Sequence, residues 1–91
     1  MNIGNVLKKL RGYKSARQKT VADYLSIERS TYARLEENQT QLTILIAYKI
    51  AGFYGMEFNY FALCLEFDRY INCSATERLV KSKRDHDNLS A

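Results

Sequence analysis

The chain has 91 residues, enough for one domain with its own core and no need of disulfides or a structural metal. At 46% hydrophobic and 26% charged residues it is too apolar for a disordered segment, and with no proline and only four glycines it favours helices over sheet. The net charge of +4 sits entirely in residues 1–40, which carry eight Lys or Arg against four Asp or Glu, while residues 41–91 carry six of each. This asymmetry suits a chain that turns one end toward a polyanion.

In chain order, Ile3, Val6, Leu7 and Leu10 recur at helical spacing with Lys8, Lys9 and Arg11 between them, predicting an amphipathic helix over about 2–14. Residues 15–17 read as a connector. Val21, Ala22 and Leu25 share one face of a short helix that opens at Gln18. Ser26-Ile27-Glu28 reads as a tight turn, followed by a second short helix over 29–37 with Tyr32 and Leu35 inward and Ile27 plugging the gap between the two. Asn38 stands where that helix must stop and tolerates the left-handed backbone well. Thr40 is the expected N-cap of a fourth helix, with Leu42, Leu45, Ile46, Ile50 and Phe53 as its apolar stripe and Gly55 as its terminator. A longer fifth helix is expected over 56–71. The Ser74-x-x-Glu77 spacing suggests a capping box that opens a sixth short helix reaching about Ser82. The polar tail 84–91 is expected to fray.

Two short helices joined by a tight turn, with small Ala22 at their crossing, form a unit that lays its second helix in the DNA major groove. The run from Gln18 to Asn38, together with residues 42–61, resembles the phage-repressor and Cro type of helix-turn-helix domain, the XRE family. The likeness extends over about residues 3–62. It implies an all-α, lambda-repressor-like five-helix DNA-binding domain over 1–62. A C-terminal helical extension over 63–83 would serve dimerisation. The resemblance places Arg29, Ser30, Ala33 and Arg34 at base-facing positions, where an arginine reaches guanine O6 and N7 and an alanine meets a thymine methyl. It places Gln18 on a phosphate at the start of its helix, and Asn38 and Gln39 in a loop along the backbone. Arg17, Lys14 and Lys19 lie near the same edge. Arg11 and Glu36 match a family salt bridge between the first and third helices. The sequence departs from the family pattern at Ser26, usually glycine, at Glu28, usually Ser or Thr, and at Glu37, often neutral or basic. Either glutamate could repel a phosphate, although Glu28 could instead accept from a cytosine amine.

The segment 56–71 is apolar on too many sides to cover one small core. Its partner is either the sixth helix, through Leu79 and Val80, or a second subunit. A two-fold dimer is expected on Phe58, Tyr60, Phe61, Cys64, Phe67, Tyr70 and Ile71. Two cysteines and one histidine, His86, make neither a disulfide framework nor a zinc site, and no nucleophile–base arrangement or phosphate loop is present, so no catalytic residue, metal or cofactor is implied. The N-terminus lacks a signal peptide's apolar core, and the apolar stretch 44–56 is interrupted by Lys49 and too short to span a bilayer, which points to a reducing cytoplasm and no membrane. The expected function is a dimeric, sequence-specific regulator of double-stranded DNA that acts as a repressor. Two other readings stand beside it: an antitoxin that binds both DNA and a toxin protein, and a protein-interaction module that has lost DNA binding.

Overall fold

A computed structural model describes residues 2–82; the expected tail over 84–91, with His86, lies outside them. Helix α1 spans Ile3–Lys14. Its N-cap is Asn2, whose Oδ1 accepts from the Asn5 N–H at 3.0 Å, and it buries Val6, Leu7 and Leu10. Helices α2 (Gln18–Leu25) and α3 (Arg29–Glu36) follow, and α2 buries Val21, Ala22 and Leu25 while α3 buries Tyr32, Leu35 and Glu36. Among the described residues all regular structure is helical.

Among the described residues, three that are not glycine hold left-handed backbone, and each ends a helix: Ser15 (φ 55°), Ser26 (φ 61°) and Asn38 (φ 61°). At Ser26 the turn is closed by the Ile27 N–H, which donates to the Ala22 carbonyl at 3.0 Å. That bond satisfies a carbonyl at the end of α2 and sends Ile27 back onto the core. Serine serves here in place of glycine at the cost of a strained φ, of order 1 kcal/mol.

Helix α4 spans Ile44–Phe53 and is capped by Thr43, not Thr40: the Thr43 Oγ1 accepts from the Ile46 N–H at 3.2 Å. The reason is packing. Leu42, just before the cap, sits against the core, as a residue stapling a helix entry does, and this fixes the start three residues later than expected. The buried face of α4 is Ala47, Ile50 and Ala51, so Leu45 falls outside it and is 62% exposed. Gly55 (φ 69°) ends the helix, with the Met56 N–H donating to the Ala51 carbonyl at 2.9 Å.

The expected long helix over 56–71 is two helices. Helix α5 spans Phe58–Glu66, the backbone becomes extended at Phe67 (φ −130°, ψ 118°), and α6 spans Asp68–Ile71. A straight helix would carry Ile71 about 15 Å beyond Phe61. The break turns it back, so that Phe61, Cys64, Ile71 and Val80 all lie fully buried in one core with α1. Helix α7 (Ser74–Ser82) then packs across α1. It starts at Ser74, so Ser74 is its first helical residue and not the cap of a capping box; the Glu77 carboxylate instead pairs with Lys81 at 2.7 Å. The Tyr13 hydroxyl donates to the Ile71 carbonyl at 2.8 Å, and the Tyr60 and Thr76 hydroxyls are hydrogen-bonded to each other, which joins α1, α5, α6 and α7. No described helix is long and apolar enough to cross a membrane.

Candidate nucleic-acid interface

The geometry of α3 follows from its period. Tyr32, Leu35 and Glu36 face the core, so Ser30 and Arg34 project on the opposite side, with Ala33 half-buried between the two faces. Arg29 stands at the first turn, exposed, and its Nη1 donates to the Gln18 Oε1 at 2.8 Å. Of the base-facing positions expected from sequence, Ser30 and Arg34 thus share the accessible side of one short helix, Arg29 is exposed at its start, and Ala33 lies at the edge of that side. No side chain caps the N-terminus of either α2 or α3, where Arg17 and Glu28 hold extended backbone. The first N–H groups of both helices therefore carry no side-chain cap.

Behind this surface lies a buried ion pair. Arg11 Nε donates to Glu36 Oε2 at 2.7 Å, Arg11 Nη2 donates to Glu36 Oε1 at 3.0 Å, and Arg11 Nη1 donates to the Ala16 carbonyl at 3.2 Å. The Glu36 side chain is fully buried. Burial alone would raise its pKa, but hydrogen bonds from Arg11 and Gln18 outweigh that and hold it below the usual carboxylate range. The bond to Glu36 likewise pushes Arg11 up against the opposing effect of burial. The Tyr32 and Tyr54 hydroxyls are buried without a hydrogen-bond partner among the described residues, and burial raises both pKa values.

Two residues expected at phosphates have side chains engaged within the protein. The Gln18 amide is committed at both ends, to Glu36 and to Arg29. Its main-chain N–H lies at the start of α2, where no side chain caps the helix. The Asn38 Oδ1 accepts from the Gly4 N–H and its Nδ2 donates to Asn2 Oδ1, both at 2.9 Å, so this side chain clasps the start of α1. Arg17 and Gln39 are exposed, and Lys14 is half-buried. Lys19 is exposed and pairs with Asp23 at 3.2 Å, a bond that water and salt weaken. Glu37 is paired with Lys8 at 3.4 Å, which offsets the negative charge that sets it apart from the family pattern. Sequence reasoning missed the links from Gln18 to Glu36 and to Arg29. The available clue was a glutamine and an arginine at the first positions of two helices that a tight turn brings together.

The residues expected at a dimer surface differ in burial. Phe61, Cys64 and Ile71 are fully buried in their own domain, because α6 and α7 fold back over α1, and they are not available to a second subunit. Phe58, Tyr60 and Tyr70 are half-buried, and Phe67 is 48% exposed. Both cysteines are free thiols. Among the described residues no three His, Cys, Asp or Glu side chains gather as a metal site.

Compared with known proteins, residues 7–61 match the family model for helix-turn-helix domains of the Cro/C1 type. No curated protein and no solved structure matches the chain. The matched span is more than half of the chain and contains α2, the turn and α3. The chain belongs to the Cro/C1-type helix-turn-helix family, the XRE family of DNA-binding transcriptional regulators.

Proposed function

We propose that this helix-turn-helix protein is a sequence-specific repressor that reads double-stranded DNA with α3 and occludes a promoter as a two-fold dimer. The observation that carries the reading is the outer side of α3: Ser30 and Arg34 stand one helical turn apart and exposed, opposite a buried Tyr32, Leu35 and Glu36, with Arg29 exposed at the start of the helix. A guanidinium there can bind guanine O6 and N7 together, while Ser30 adds a less selective contact. Arg17, Lys14, Lys19, Gln39 and the first N–H groups of α2 supply the attraction to phosphates that sets the register. All the excess positive charge lies in this half of the chain.

In this reading residues 1–62 are the DNA-binding unit, and residues 63–83 both complete its core and carry the contact between subunits. With Phe61, Cys64 and Ile71 committed to the core, that contact falls on Leu63 and Phe67, both partly exposed, and on the half-buried Phe58, Tyr60 and Tyr70. Two-fold symmetry would set the recognition helices about 34 Å apart on a near-palindromic site.

The test is selection from a random duplex pool at two salt concentrations, with the wild type and with Arg29→Ala/Arg34→Ala. One enriched two-fold motif that disappears in the double variant supports the reading. No enrichment, with wild type and variant binding alike, rejects it and moves the search to a protein partner such as a toxin.

A further inference from the structure

We propose that the buried Arg11–Glu36 pair is a positioning device for base readout, acting on Arg29 through Gln18, and is more than a brace between α1 and α3. This inference rests on the reading above, in which Arg29 meets a base.

The bonds run in one unbroken line. Arg11 is fixed by the Ala16 carbonyl and by both oxygens of Glu36. Glu36 Oε1 also accepts from Gln18 Nε2 at 2.9 Å, and Gln18 Oε1 accepts from Arg29 Nη1 at 2.8 Å. The polarity of this line has one solution. A carboxylate only accepts, so it must face the amide NH2; a guanidinium only donates, so it must face the amide oxygen. Glu36 therefore decides which way the Gln18 amide points, and the amide decides which edge of Arg29 is held. Glu36, within the line, is fully buried; the far end is the exposed first residue of the recognition helix.

The consequence is pre-orientation. A free arginine on a helix surface samples many rotamers, and binding must freeze them. An arginine already held through one N–H avoids part of that cost and offers its remaining N–H groups in a fixed plane. A held guanidinium also discriminates better, because it cannot swing to suit a wrong base. Neither effect would be expected of a pair that only joins two helices.

The experiment measures affinity for the selected site and for the same site changed at the base pair that Arg29 reads. It uses wild type, Arg29→Ala, Gln18→Ala, Glu36→Gln and the Gln18→Ala/Glu36→Gln double variant, with urea unfolding of each to confirm that it is folded. Gln18→Ala and Glu36→Gln are each expected to narrow the preference for the correct base by about two- to tenfold, with no further loss in the double variant. A brace alone would lower affinity for both sites equally and independently of Gln18, and that result overturns the proposal. Should Glu36→Gln fail to fold, Gln18→Ala alone decides: unchanged base preference, with Arg29 side-chain ¹⁵N relaxation in the DNA-free protein also unchanged, overturns it. If Arg29→Ala leaves the preference intact, the assignment of Arg29 to a base is itself wrong; if Arg29→Ala abolishes the preference while Gln18→Ala does not alter it, only the positioning role fails.

Discussion

Gly4 lies against the main chain of Glu36 so closely that a Cβ on the glycine would stand 2.1 Å from the Glu36 carbonyl oxygen and 2.7 Å from its carbon. The start of α1 thus touches the end of α3 backbone to backbone, and the Asn38 clasp on the Gly4 N–H closes the same contact. Neither atom belongs to a flexible side chain, so nothing can move aside without shifting a helix. Gly4→Ala should destabilise the fold by about 1–3 kcal/mol, even though alanine is the better helix former. Urea denaturation checks this, and a variant as stable as wild type would show that α1 and α3 separate freely.

The charge state of Glu36 predicts an acid limb. Its folded pKa lies below the unfolded value near 4.5, because the bonds from Arg11 and Gln18 overcome the effect of burial. The stabilisation is therefore fully present above the unfolded pKa and is lost as pH falls through the folded one. Unfolding midpoints between pH 7 and pH 3 should drop for wild type. In Glu36→Gln, which is less stable at pH 7, this part of the drop should be absent. Parallel curves for the two proteins would assign the acid limb to other carboxylates.

Glu28 holds the N-cap position of α3 without a side-chain bond to the helix, has no ion-pair partner among the described residues, and is exposed at the edge of the proposed DNA surface. A threonine there can cap the helix and removes a negative charge from its positive end. Glu28→Thr should raise stability by about 0.5–2 kcal/mol and tighten binding to non-specific duplex. If binding to the selected site weakens while non-specific binding tightens, Glu28 contacts a base.

Phe61 and Phe67 lie six residues apart and meet opposite fates, one fully buried and the other 48% exposed. Phe61→Ala should cost about 3–5 kcal/mol of stability, whatever the state of association. Phe67→Glu should leave the monomer's stability within about 0.5 kcal/mol and shift a dimer toward monomer. Light scattering coupled to size exclusion separates the two effects, and a wild type that is monomeric at micromolar concentration would remove the dimer from the proposed function.

The local periods of the sequence determined most of the first sixty residues by themselves. Val6, Leu7 and Leu10, then Val21, Ala22 and Leu25, then Tyr32 and Leu35, mark their faces by spacing alone, because a helix fixes which residues share a side. Ser26 and Asn38 mark two of the stops, because few side chains other than glycine accept a left-handed backbone. What only the tertiary structure decided depends on contacts between segments distant in sequence. Thr43 displaced Thr40 as a cap because Leu42 found a place in the core. The segment over 56–71 broke at Phe67 because Ile71 and Val80 are buried only by returning to α1, a demand invisible to a pattern that registers apolar residues without saying what covers them. The Arg11–Glu36 pair was implied by the family resemblance, but its continuation through Gln18 to Arg29 was decided by the tertiary structure: the direction of each hydrogen bond was set only when the folded backbone brought a carboxylate, an amide and a guanidinium within reach of one another.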